Sequence, residues 1–365
     1  MESAQNRKTM KEVRITGVGE LEYVDVELPQ LEDNEVLVEV ALTGICGSDI
    51  PRYLQGQVHV FPQVLGHEFS GTVVAVGKKV DAELIDKRVA GIPLVPCMMC
   101  DSCQGGNFAL CKSYSFIGSR RQGSMAQYVA VPHTNVLEVG EEVSMLQAAF
   151  FEPATVALHG AQLLDISRKS CPQGSIAVIG AGTIGILLAQ ALVAFGADVV
   201  VLFDTAKERL EVAGAAGLTH LIDVTDAERE KKVHDIVGDA GFTHVFDVAG
   251  ASESIAYSFK IAGSHGQICL IGNPRSPVTM TAQQWEEINR KELSIVGSWM
   301  SYSAPWPGVE WHDAVSLFAD GSLRIVDEMI DATYPLASAK EAFERFRDPS
   351  SIKGKILIDS RAPKG

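Results

Sequence analysis

The chain has 365 residues, 46% of them hydrophobic and 21% charged, which suits a folded protein of about two domains at roughly 150 residues each. Aspartate and glutamate outnumber lysine and arginine by 46 to 31, and the formal net charge is −15. So acidic a protein excludes non-specific binding to nucleic acid or to an anionic membrane, and an anionic substrate would need a local group of cations.

The first ten residues are polar, with Arg7 and Lys8, and no apolar stretch follows them, so they do not read as a targeting signal. Met10 offers a second plausible start, and on that reading the leading residues are an extension. Up to about residue 155 the chain reads as β-rich, with strand-like runs at 35–42 and 71–76 between glycine, proline and acidic turns. Cys97, Cys100, Cys103 and Cys111 follow, with two, two and seven residues between them. Four thiolates so close in one loop suit tetrahedral Zn²⁺; Asp101 lies inside the group, but four sulfurs already fill the tetrahedron, so the site reads as closed and structural. The other three cysteines, Cys46, Cys171 and Cys269, are scattered. An odd total of seven without a signal peptide points to metal binding or free thiols in the reducing cytoplasm.

The pattern changes near Cys171. Short apolar runs at 175–179, 199–203, 221–222, 243–247 and 267–271 alternate with helix-like segments, which predicts a parallel sheet covered on both faces. The uncharged run 175–197 is long enough to span a bilayer, but its glycines indicate a different use. Gly180, Gly182 and Gly185 come directly after a strand and open a helix. Such a turn gives tight geometry, close backbone approach to a pyrophosphate and close helix packing. The helix start at Thr183 and Ile184 presents free N–H groups to the phosphates. Asp204 ends the next strand, where a carboxylate binds ribose hydroxyls and repels a 2′-phosphate, favouring NAD over NADP. Lys207 and Arg209 just after it soften that preference. Past residue 299 the alternation breaks, and the tail closes on a helix-like 338–347 and a strand-like 353–358.

A second set of metal-ligand types lies in three separated segments: Cys46 before Gly47-Ser48-Asp49, His67-Glu68 twenty-one residues on, and Glu152. Together they offer a thiolate, an imidazole and one or two carboxylates, enough for Zn²⁺ with a position left for water or substrate. Asp49 equally suits the part of an acceptor that orients His67.

The Gly66-His67-Glu68 run, the four-cysteine lobe and the glycine fingerprint, in this order, resemble the zinc-dependent medium-chain alcohol/polyol dehydrogenases over nearly the whole chain. Three further stretches are similar to the branch of that family that acts on galactitol 1-phosphate. They are Cys46-Gly-Ser-Asp-Ile-Pro-Arg52, Phe116-Ile-Gly-Ser-Arg-Arg121 and Gly297-Ser-Trp-Met-Ser-Tyr-Ser-Ala-Pro-Trp-Pro-Gly308. The resemblance implies a GroES-like β-rich catalytic domain over 1–156 and 301–365, carrying a structural zinc lobe at 97–111. A doubly wound Rossmann domain for NAD would occupy 157–300, with the active site in the cleft. It further implies a catalytic zinc on Cys46, His67, Glu152 and, in some members, Glu68, with manganese a second possibility, and Ser48 as the hydroxyl that passes on the substrate proton. Many relatives have a relay histidine five residues after the first ligand cysteine. Pro51 stands there, so the proton must leave by water or by His59.

The expected reaction is oxidation of a secondary hydroxyl of a sugar-alcohol phosphate, galactitol 1-phosphate giving tagatose 6-phosphate. Arabitol or ribitol phosphate, or a free polyol such as sorbitol, are the alternatives. Arg52, Arg120 and Arg121 are the candidate phosphate cations, since guanidinium forks suit phosphate oxygens, and Trp299 is a candidate pocket wall. The expected assembly is a homodimer or homotetramer in the cytoplasm, joined through an edge strand at 293–296.

Overall fold

The structure, a computed structural model, describes residues 8–362; the polar leader up to Arg7 lies outside them. They divide into two compact units. The first comprises the residues up to Glu152, Tyr302–Trp311 and those from Ile330; the second comprises Pro153–Ser301 and His312–Met329.

In the first unit a seven-stranded sheet carries the site. Its strands are β1 (Glu35–Gly44), β2 (Glu68–Val76), β3 (Arg88–Gly91), β4 (Tyr128–Pro132) and β5 (Val136–Glu138). The second unit supplies β6 to β11, described below, and the late strands β12 (Ile330–Pro335) and β13 (Lys355–Asp359) return to the first sheet. The order is β5-β3-β2-β1-β13-β12, with β4 also paired to β1. Strand β1 shows why it belongs in the middle: Val36, Val38 and Val40 enter one core cluster and Leu37 enters the other, as a period of two demands of a strand buried on both faces.

Register converts this sheet into a site. Gly44 pairs with Glu68 and Leu357 pairs with Gly44, both antiparallel. The chain leaving β1 at Ile45-Cys46 therefore runs between the start of β2, with His67 just ahead of it, and the start of β13, where Lys355 stands.

The second unit is a six-stranded parallel sheet of β6 (Ser175–Ile179), β7 (Val199–Asp204), β8 (His220–Asp223), β9 (Phe242–Asp247), β10 (Ala262–Leu270) and β11 (Ser294–Gly297). The order β8-β7-β6-β9-β10-β11 reverses beside β6, as in doubly wound dinucleotide-binding sheets. The long uncharged run 175–197 resolves into β6, the glycine turn and the helix Thr183–Ala194. No described helix is long and apolar enough to cross a membrane.

The unit boundaries differ from the expected 157–300. Residues 153–156 and 312–329 group with the doubly wound sheet, and identifiable contacts hold them there. The Thr155 and Ser301 hydroxyls are 2.9 Å apart, Gln190 exchanges two hydrogen bonds with the Arg324 backbone, and Arg168 pairs with Asp320. The motif 297–308 is thereby divided. Trp299 stays with the sheet, half-exposed, whereas Tyr302 and Trp306 belong to the first unit.

Candidate functional site

The four clustered cysteines meet. Their sulfurs all lie within 4.8 Å of one another, with Cys100 Sγ at 3.6 Å from Cys103 Sγ and 3.8 Å from Cys111 Sγ. A zinc ion with bonds of about 2.3 Å places its sulfurs about 3.8 Å apart, so the donor set fits. The loop's own backbone prepares it: the Cys103 amide lowers the Cys100 thiol to about 6, and the Met99 and Cys100 amides lower Cys97. The lobe is anchored by aromatic contacts that the sequence did not announce. Phe108 meets Trp306 edge to face at 5.3 Å, Trp306 stacks on buried Tyr302 at 5.5 Å, and the Trp306 indole donates to Thr134 O at 3.0 Å.

Of the reactive ligand set, the structure brings together Cys46, His67 and Glu68, whose donor atoms also lie within 4.8 Å of one another. Glu152 is not one of that trio. It stands in the first turn of the helix Phe151–Gln162, and burial raises its carboxyl to about 7, with His67 opposing and Glu68 adding to that shift. Burial, reinforced by the Glu68 carboxylate, pushes the Cys46 thiol well up. The His67 ring packs on Phe116 at 5.5 Å; its Nδ1 is buried without a hydrogen-bond partner among the described residues, 3.6 Å from the wholly buried Asp49 carboxylate. Thiol, imidazole and carboxylate with an orphaned buried imidazole nitrogen fit a zinc-type ion.

Lys355 is the residue that sequence reasoning missed. Its ammonium donates to both Glu68 oxygens at 2.8 and 2.6 Å and to Ile45 O at 3.4 Å. Burial works against that charge, yet Glu68 and Cys46 hold its pKa above the usual lysine value. The only local signal was a lysine inside an apolar strand run, and nothing in the sequence marks its distant partner.

The other candidates are placed as follows. Ser48 is exposed, with Oγ 3.4 Å from Cys46 Sγ and 3.1 Å from Arg52 Nη1. Arg52 also reaches Asp49 Oδ1 at 2.9 Å. Arg121 is paired with Glu35. Arg120 is exposed and stacked over the Tyr114 ring at 4.2 Å. His59 is exposed, and among the described residues no hydrogen bond joins it to Ser48.

In the second unit the glycine turn shows the expected division of labour. Gly180 has φ +112°, a Cβ on Gly182 would meet nothing within 4 Å, and a Cβ on Gly185 would stand 1.8 Å from Gly180 O. Open space at Gly182 is what a pyrophosphate approach needs. Asp204 also braces this turn: Oδ2 accepts from Ala181 N at 2.7 Å and Oδ1 from Ala206 N at 2.8 Å. A carboxylate has about four lone-pair sites, so ribose hydroxyls can share it. Arg209 sits half-buried in the first turn of the helix Lys207–Ala215. Gly185→Ala is expected to cost about 1–3 kcal/mol of stability by overpacking and to weaken dinucleotide binding. Thermal melting and an NADH fluorescence titration check this, and wild-type values in both would refute it.

Residues 32–141 match the alcohol dehydrogenase GroES-like domain and residues 183–319 the zinc-binding dehydrogenase domain. Sheet order, thiol lobe and ligand trio agree with that match: the chain belongs to the zinc-dependent medium-chain alcohol dehydrogenase family and is an oxidoreductase of that class. It is similar, at 34% identity over 96% of its length and 99% of the relative's, to galactitol 1-phosphate 5-dehydrogenase of Escherichia coli K12. It is 32% identical to D-arabitol-phosphate dehydrogenase of Enterococcus avium, over 97% of this chain and 98% of that one. The crystal structure of galactitol-1-phosphate dehydrogenase from Escherichia coli superposes with a TM-score of 0.89 at 34% identity, covering 96% of this chain and 100% of the other.

Proposed function

We propose that this enzyme oxidises a secondary hydroxyl of a sugar-alcohol phosphate with NAD, galactitol 1-phosphate giving tagatose 6-phosphate. The observation that carries the phosphate is Arg120. It is exposed in a protein of net charge −15, and its turn begins at Phe116, the residue packed on His67. The names of two relatives, one acting on galactitol 1-phosphate and one on an arabitol phosphate, support the same class, and D-arabitol phosphate is the second reading. Asp204, nearly buried at the end of β7, favours NAD, because a 2′-phosphate would meet its charge.

Two zinc ions per chain belong to this reading, one structural on the four-cysteine lobe and one at Cys46, His67 and a carboxylate. Glu68 stands in the trio with Cys46 and His67 while also holding Lys355, and Glu152 lies close enough to feel His67 and Glu68, so either carboxylate can complete the set. Zinc at that site would supply Lewis acidity, lowering the pKa of the substrate hydroxyl, and NAD would supply the hydride acceptor. The chain's own part is to orient: Asp49 faces His67, Lys355 holds Glu68, and Ser48 takes the hydroxyl proton. Seven cysteines with no disulfide among them suit the cytoplasm, and the outer strand β11 suits a homodimer contact.

The test is initial-rate NAD reduction with galactitol 1-phosphate, galactitol and sorbitol, repeated on Arg120→Ala. Wild type should strongly prefer the phosphate. The variant should raise KM for it about tenfold or more, the worth of a charge-assisted hydrogen bond, and spare the free polyols. Equal rates on all three substrates, or equal loss in the variant, would discard the phosphate site.

A further inference from the structure

We infer that Arg52 is the positioning residue of the proton step, holding Ser48 Oγ in place through a hydrogen bond braced on Asp49. This rests on the reading above that Ser48 accepts the substrate proton, and it does not depend on whether the substrate is phosphorylated.

The geometry is a short fixed network in the helix Asp49–Gln55 and the turn before it. Arg52 Nη1 donates to Ser48 Oγ at 3.1 Å and to Asp49 Oδ1 at 2.9 Å. Asp49 is wholly buried, and its other oxygen accepts from Cys46 N at 3.2 Å, so the guanidinium is tied to the same turn that carries the thiol. The Arg52 side chain is 18% exposed, which suits a braced group more than a mobile surface arginine.

Donor and acceptor rules then determine what Ser48 can do. An arginine only donates and does not lose its proton, so it can be no link in a relay. It occupies one lone pair of Oγ and leaves the other for an incoming hydroxyl. The serine's own hydrogen is free to point to Cys46 Sγ, 3.4 Å away, or to water. In the step, the substrate O–H bond breaks and its proton bonds to Ser48 Oγ, while the hydrogen already on Oγ passes to water. Serine ends unchanged, one proton reaches solvent and nothing is oxidised. The fixed positive charge favours the electron-rich oxygen left behind and opposes return of the proton. Ser48 is exposed, and Pro51 has no side-chain donor or acceptor, so water takes the proton directly.

Arg52→Met, Arg52→Lys and wild type should be compared on galactitol 1-phosphate and galactitol, with metal content and circular dichroism confirming folding. The methionine variant should lose about 100-fold in kcat on whichever of these wild type oxidises, with KM little changed, as expected of a misplaced reacting group. Added guanidinium ion should restore part of that rate, the lysine variant should fall between, and the solvent deuterium isotope effect on kcat should rise as proton transfer becomes limiting. Unchanged kcat would overturn the proposal. So would a rise in KM confined to the phosphorylated substrate, which would make Arg52 a phosphate ligand instead. Failure of the phosphate reading appears separately, in wild type alone, as no preference for galactitol 1-phosphate over galactitol.

Discussion

Cys46→Ser is expected to lower kcat for alcohol oxidation by about 1,000-fold or more and, on the two-zinc reading, to remove one equivalent of metal per chain while leaving the lobe's equivalent in place. The size follows from the loss of Lewis-acid assistance, which contributes several kcal/mol, at 1.36 kcal/mol per factor of ten. The selectivity follows from the structure. Cys46, His67 and Glu68 form one donor group and the four clustered cysteines another, with no residue shared. Elemental analysis and initial rates on the same preparation check both halves. Full metal content with wild-type turnover would show that Cys46 is not a ligand.

Lys355→Met is expected to destabilise the metal-free protein by about 3–5 kcal/mol, the usual consequence of removing one partner from a buried ion pair. Lys355 is 10% exposed at its side chain and Glu68 only 2%, so the carboxylate left behind has little access to water. Adding Glu68→Gln in the same chain should return much of that loss, because the amide carries no charge to strand. Denaturant unfolding in the presence of a chelator reads the pair without a contribution from bound metal. A single variant as stable as wild type would show that the pair contributes nothing.

The parts of this protein that were legible from sequence are the parts whose chemistry is local. Gly180, Gly182 and Gly185 sit between a short apolar run and a helical one, and the structure gives each the geometry that its spacing implies. The four cysteines lie in one short loop, so their meeting needed little from the rest of the chain. The strands at 35–42 and 175–179 were recognisable because alternation and short apolar runs report burial directly. Nothing local in residues 312–329, whose helix ends at Ala319, marks which sheet they pack on. Gln190, Arg168 and their distant partners decide that.

Residue types alone therefore determined the class of chemistry: a thiolate-rich closed lobe, a mixed donor set, and a phosphate-binding turn followed by an acid. What only the tertiary structure decided is which side chains share each charge. Antiparallel register brings residues 287 apart into the Lys355–Glu68 pair, so a carboxylate the sequence had offered to the metal also holds a buried ammonium. The same is true of the three arginines, identical as letters. Arg121 is spent on Glu35, Arg52 is braced on Asp49 and Ser48, and Arg120 lies exposed on Tyr114. Coulomb and hydrogen-bond energies depend on separations of a few ångströms, and those are set by strand pairing across the whole chain.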